Sequence, residues 1–172
     1  MTPFKLENAL AMLATLVILG ACGSEPGNEV STADDAPSEA QAPAFPTAAL
    51  IDPNEASQDA LAAIPGINDT AVQAILAARP FSTPSELDAA IGESLDDAGR
   101  KAVYALVFVK VGLNSGTEED YKLIPSTMPA GKLAHEFEEY RPYDSMEQFR
   151  REMSKYVSDA EVAYLARFVT LD

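Results

Sequence analysis

No helix in the C-terminal two thirds of this chain can be long, because proline interrupts it at intervals, and the interruptions occur in matching pairs. Leu61-Ala62-Ala63-Ile64-Pro65 corresponds to Tyr121-Lys122-Leu123-Ile124-Pro125, and Arg79-Pro80-Phe81 to Arg141-Pro142-Tyr143. Proline disfavours helical backbone at the residue before it, so each of these sites ends a helix. Asn54-Glu55-Ala56-Ser57 likewise matches Asn114-Ser115-Gly116-Thr117. After a two-residue insertion in the second copy, Leu87 matches Phe149 and Asp97-Ala98 matches Asp159-Ala160. Residues 50–109 and 110–171 therefore read as two copies of one unit, offset by about sixty residues.

Each unit reads as four short helices. Ser57 and Thr117 are placed to cap the first helix, which stops near Pro65 or Pro125. The second is expected over about 69–78 and 130–140, stopped by Pro80 and Pro142. Thr83-Pro84-Ser85-Glu86 has the pattern of a capping box with proline at the first helical position, and Ser145-Met146-Glu147-Gln148 opens the third helix of the second copy. Asp96 and Ser158 are the expected caps of the fourth helix, with Glu161 completing a box in the second copy. Only VFVKV at 107–111 alternates with period two, and it reads as a helix end.

Charge and cysteine content narrow the functional classes. Twenty-seven acids against twelve bases give a net charge of -15, which repels nucleic acid and anionic lipid at long range. Residues 47–112 and 113–172 are each net -5. The single cysteine, Cys22, rules out an internal disulfide and a cysteine metal cage.

Cys22 follows an uncharged apolar run, ALAMLATLVIL at 9–19, with Lys5 ahead of it. That run suits the apolar core of a secretory signal and is too short to span a bilayer as a mature helix. Leu19-Gly20-Ala21-Cys22 resembles the bacterial lipobox, which implies a signal peptide over 1–21, cleavage, and lipidation of Cys22. The competing reading is an ordinary signal peptide with a chance cysteine. Gly23 stands where an aspartate would be the familiar inner-membrane retention signal, so the resemblance implies the outer membrane, facing the periplasm. Residues 22–47, rich in Gly, Pro, Ser, Ala and acids, bury too little apolar surface to offset ordering entropy and are expected to be a disordered acidic linker.

LAAIPGINDTAVQAILAARPF at 61–81 joins an apolar helix, a Pro-Gly-apolar hairpin, a second apolar helix and an Arg-Pro-aromatic close. With the Asn-x-Ala opening at Asn54, it resembles the ComEA-like helix-hairpin-helix domains of bacterial DNA-uptake receptors. The resemblance covers 50–112 closely and 113–172 mainly through the repeat. It implies an all-α fold of two tandem four-helix helix-hairpin-helix (ComEA/SAM-like) units, copy one at 48–112 and a degenerate copy two at 113–172. In such domains the amides of the hairpin and the helix N-terminus bind phosphate.

Carried over here, the candidate phosphate- or partner-binding residues are Pro65, Gly66, Ile67 and Asn68. Asn68 replaces the family's second hairpin glycine, Asp69 puts a carboxylate where phosphate would approach, and Pro125-Ser126-Thr127-Met128-Pro129 has no glycine at all. A weaker candidate is a basic patch formed by Lys122, Lys132, Arg150, Arg151 and Lys155, for which ordinary solvated positions are the alternative. An extrinsic subunit of photosystem II is similar in build and docks on protein. The expected function is accordingly a lipid-anchored envelope module that binds protein, with DNA binding through the Pro65-Gly66 hairpin as the alternative.

No catalytic residue, metal site, cofactor or small-molecule substrate is expected. His135 is the only histidine, and Glu139 occupies the place of the second histidine that a zincin would need. Glu138 and Glu139, adjacent on a helix, point in different directions. His135 reads as a surface residue paired with Glu139 at i,i+4.

Overall fold

The computed structural model describes residues 44–172. The expected signal peptide, Cys22 and the linker as far as residue 43 lie outside the described residues. Eight helices and two two-residue strands make up the described part, a predominantly helical fold. The first half holds α1 (Gln58–Ala62), α2 (Asp69–Ala78), α3 (Pro84–Ile91) and α4 (Asp97–Tyr104). Strand β1 (Val111–Gly112) opens the second half, followed by α5 (Glu118–Lys122), α6 (Ala130–Glu139), α7 (Met146–Met153), α8 (Asp159–Leu165) and β2 (Val169–Thr170).

Helices this short are marginal alone and depend on caps and burial. Ser57, Asn68, Thr83, Asp96, Thr117, Ser145 and Ser158 each accept a hydrogen bond from a first-turn amide. Thr83 with Glu86 and Thr117 with Asp120 form complete capping boxes. Burial is continuous: Leu61, Ile75, Leu87 and Ile91 in the first half and Tyr121, Leu133, Phe137, Phe149 and Met153 in the second are fully buried within one core. Each such side chain removed from water contributes roughly 1.5–3 kcal/mol.

One set of long-range bonds occurs twice. Asn54 Nδ2 donates to the Phe81 carbonyl at 2.9 Å while Phe81 N–H donates to Asn54 Oδ1 at 2.7 Å. Asn114 and Tyr143 make the same pair, at 3.1 and 2.7 Å. Arg79 donates to the Ala56 carbonyl, and Arg141 to that of Gly116. Both Arg-Pro bonds are cis. The opening asparagine and the closing Arg-Pro-aromatic are thus two sides of one joint that closes each half.

The core fillings differ. Leu61, Ile75 and Leu87 are replaced at the corresponding positions by Tyr121, Phe137 and Phe149, whose rings stack edge to face with centroids 5.1 and 5.2 Å apart. Gly116 stands where the first half has Ala56. A Cβ at Gly116 would lie 2.8 Å from the Tyr121 hydroxyl and collide with Val111, so the larger ring at 121 and the missing methyl at 116 belong together.

Three expectations need correction. VFVKV is not a helix end, because α4 stops at Tyr104. Ile51 N–H donates to the Leu106 carbonyl at 2.8 Å and Phe108 N–H to the Ile51 carbonyl at 3.2 Å, a parallel bridge between Ile51 and Val107. Val111 then pairs in parallel with Val169. The backbone here is extended, with Val107, Phe108 and Val111 buried and Val109 half-buried, so burial does not follow the alternation of the sequence. Glu161 caps no amide of its own helix, because its carboxylate is engaged elsewhere. The linker, finally, is docked before residue 47: Phe45 stacks on Tyr164 at 4.9 Å.

Candidate functional site

Ile67 N–H donates to the Ile64 carbonyl at 3.3 Å, closing a turn with Pro65 second and Gly66 third. Gly66 has φ +86°, a conformation that costs other residues roughly 1–2 kcal/mol, which explains glycine here. Pro65, Gly66 and Asn68 are exposed and Ile67 is half-buried. The Asn68 side chain that follows the turn is engaged at both ends. Asn68 Oδ1 accepts from Ala71 N–H at 2.8 Å, and Asn68 Nδ2 donates to the Ser94 carbonyl at 2.8 Å. Asp69, exposed in the first turn of α2, already places negative charge against the helix dipole.

The second hairpin is occupied by a side chain of the protein itself. Glu161, 2% exposed, accepts from Ser126 Oγ at 2.7 Å, from Thr127 N–H at 2.7 Å and from Thr127 Oγ1. An anionic group held by a backbone amide and two hydroxyls in a turn is what a bound phosphate oxygen would look like. Here the anion is covalently part of α8. Gly99 holds the corresponding place in the first half, so no carboxylate reaches that hairpin from α4.

Each of the five candidate basic residues is engaged by an acid or an aromatic ring. Lys122 pairs with Glu118 at 2.6 Å, and that hydrogen bond raises its pKa. Arg150 lies 4.0 Å from Glu147, and Arg151 pairs with Glu152 at 3.0 Å. Lys155 also bonds Glu152 and sits 4.8 Å above the Tyr140 ring, while Lys132 sits 5.5 Å above Tyr156. The Lys155 hydrogen bond, with help from Arg151, holds the Glu152 carboxyl below the usual range. The Tyr140 and Tyr156 hydroxyls are 2.7 Å apart. Lys132, Arg151 and Lys155 therefore belong to a tyrosine-glutamate cluster on α6, α7 and the residues that follow each, and Lys122 lies in a different cleft.

That cleft was not legible in the sequence. Asp88, Asp97, Arg100, Lys101, Tyr104, Lys122 and Leu123 line a cavity of about 200 Å³ between α4 and α5. It adjoins one of about 370 Å³ reaching Pro125, Ser126 and Pro129 of the second hairpin. Tyr104 donates to Asp88, and Arg100 contacts Asp88 at 3.3 Å and Asp97. Burial, with the Asp88 hydrogen bond, pushes the Tyr104 phenol well up. On its other side this junction is held by Asp120, whose Oδ1 accepts from Ser85 N–H at 3.2 Å and Ser85 Oγ at 2.6 Å.

His135 lies exposed, its Nε2 3.7 Å from Glu139. Among the described residues no three His, Cys, Asp or Glu side chains are grouped to hold a metal ion, and no helix is long and apolar enough to cross a membrane. Compared with family models, with curated proteins and with solved structures, the chain finds no match in any of the three.

Proposed function

We propose that the chain is a non-enzymatic binding module, lipid-anchored through Cys22 in the bacterial envelope and facing the periplasm from the outer membrane, whose two tandem helix-hairpin-helix (ComEA-like) units dock on a protein partner. The observation that carries the reading is the Glu161 carboxylate seated in the Ser126-Thr127 hairpin. A module that used both hairpins for phosphate would not fill one with its own anion. The commitment of Asn68 and the acid pairing of Lys122, Arg150, Arg151 and Lys155 support the same reading. Non-specific DNA affinity comes mainly from free Lys and Arg neutralising phosphates.

Crosslinking in the native membrane, followed by mass spectrometry of the captured species, tests it. A reproducible envelope protein is the expected result; recovery of no protein above the background of an unrelated lipoprotein would count against it.

One observation favours the alternative, DNA binding at the envelope. The Pro65-Gly66 turn keeps its positive-φ glycine and is exposed. Fluorescence anisotropy with duplex DNA at low salt separates the readings: micromolar binding that collapses as salt rises supports DNA, and a flat titration supports protein.

A further inference from the structure

The segment that leads into α1 is held on α8 in the manner of a bound peptide. Phe45 is half-buried and stacks on Tyr164, rings 26° from parallel. The Arg167 guanidinium donates to the carbonyls of Pro46 and Ala48 and lies 5.5 Å over the same Tyr164 ring. Pro46, Thr47, Ala48 and Ala49 are exposed. One aromatic anchor, a proline that stiffens the extended backbone, and an arginine reading two main-chain carbonyls make a peptide-recognition arrangement. Its contacts are generic to any segment of the form aromatic-Pro-x-x, since Arg167 reads backbone.

The seat is incompletely filled. A cleft of about 300 Å³ remains between Phe45, Pro46 and Thr47 on one side and Ala160, Ala163, Tyr164 and Arg167 on the other. Tyr164 is itself buried and set edge to face on Phe168, which packs on Phe108, so the groove floor is rigid while its occupant touches water along most of its length. The groove is also specific to the second half: Ala102 and Ala105 stand where Tyr164 and Arg167 do.

We propose that residues 45–48 are a displaceable strap over a peptide-binding groove on α8, and that the groove takes an extended aromatic-proline segment of a partner protein in the strap's place. The inference deepens the protein-docking reading and rests on it. An intramolecular occupant competes at a high effective concentration, so the groove presents a weakened site until a partner segment is supplied locally.

The experiment uses the full chain and a fluorescein-labelled peptide of sequence APAFPTAAL, identical to residues 42–50. In the Phe45→Ala chain, whose strap has lost its anchor, the peptide binds about tenfold more tightly than in the unaltered chain, as removal of an internal competitor requires. Adding Arg167→Ala to Phe45→Ala abolishes that binding, while circular dichroism and the melting curve of the double variant confirm that it is folded. A peptide with its phenylalanine replaced by alanine does not bind. Equal peptide affinity for the Phe45→Ala and unaltered chains, or binding that survives Arg167→Ala, overturns the strap. Neither outcome bears on membrane crosslinking, where a partner captured through another surface would keep the docking reading and sink only this site.

Discussion

Asn54 and Phe81, twenty-seven residues apart, exchange both hydrogen bonds, the side-chain amide standing in for a strand partner of the Phe81 backbone. Asn54→Ala leaves the Phe81 N–H and carbonyl without partners, and each such group costs about 1–3 kcal/mol when shielded from water. The urea midpoint should fall accordingly with the slope unchanged. Asn54→Asp keeps the acceptor but turns an oxygen toward the Phe81 carbonyl, so it should rescue at most part of the loss.

Ser85 and Asp120 predict a pH dependence. Burial alone would raise the Asp120 carboxyl, but the hydrogen bonds from Ser85 and Thr117 outweigh it and hold it below its usual value. A carboxylate with a depressed folded pKa contributes stability that is complete above its unfolded value of about 3.9 and is lost as pH falls through the folded one. Denaturation midpoints measured from pH 6 downward should drop below about pH 4. Asp120→Asn should lower the plateau and flatten that part of the curve relative to the unaltered chain.

Glu161→Ala removes the anion from the second hairpin and leaves Thr127 N–H and two hydroxyls facing a void. Each of these donors left unpaired while shielded from water should cost about 1–3 kcal/mol. If the turn is an anion nest with a built-in occupant, sulfate at tens of millimolar should raise the melting temperature of Glu161→Ala more than that of the unaltered chain, whereas equal shifts would reduce Glu161 to a packing residue.

Gly116 and Tyr121 should behave as a coupled pair. Gly116→Ala drives a methyl into the Tyr121 hydroxyl and Val111, and Tyr121→Leu leaves a cavity and strips Arg141 of a ring it lies 5.0 Å from. The double substitution recreates the Ala56/Leu61 pair of the first half. It should be less destabilising than the sum of the singles by about 0.5–3 kcal/mol in a double-mutant cycle.

Much of the helical order was legible because its signals are local. Ser57, Thr83, Thr117, Ser145 and Ser158 lie within three residues of the amides they cap, and Pro80 and Pro142 act on their immediate neighbours. Glu161 was misread for the same reason. Its spacing from Ser158 fits a capping box, and nothing nearby in sequence announces Ser126 and Thr127, thirty-five and thirty-four residues back. Ser85 with Asp120 and Phe45 with Tyr164 are equally remote pairings. VFVKV was ambiguous because four branched or aromatic residues in five suit a strand and a buried helix end alike until a partner such as Ile51 is known.

The run from Val107 to Leu113 is bonded to Ile51 at its start and to Val169 and Thr170 at its end. The two halves are therefore joined by a shared structural member and not by a hinge. Melting either half strips partners from the backbone that closes the other, so the described body should lose its structure in one calorimetric transition whose van't Hoff and measured enthalpies agree.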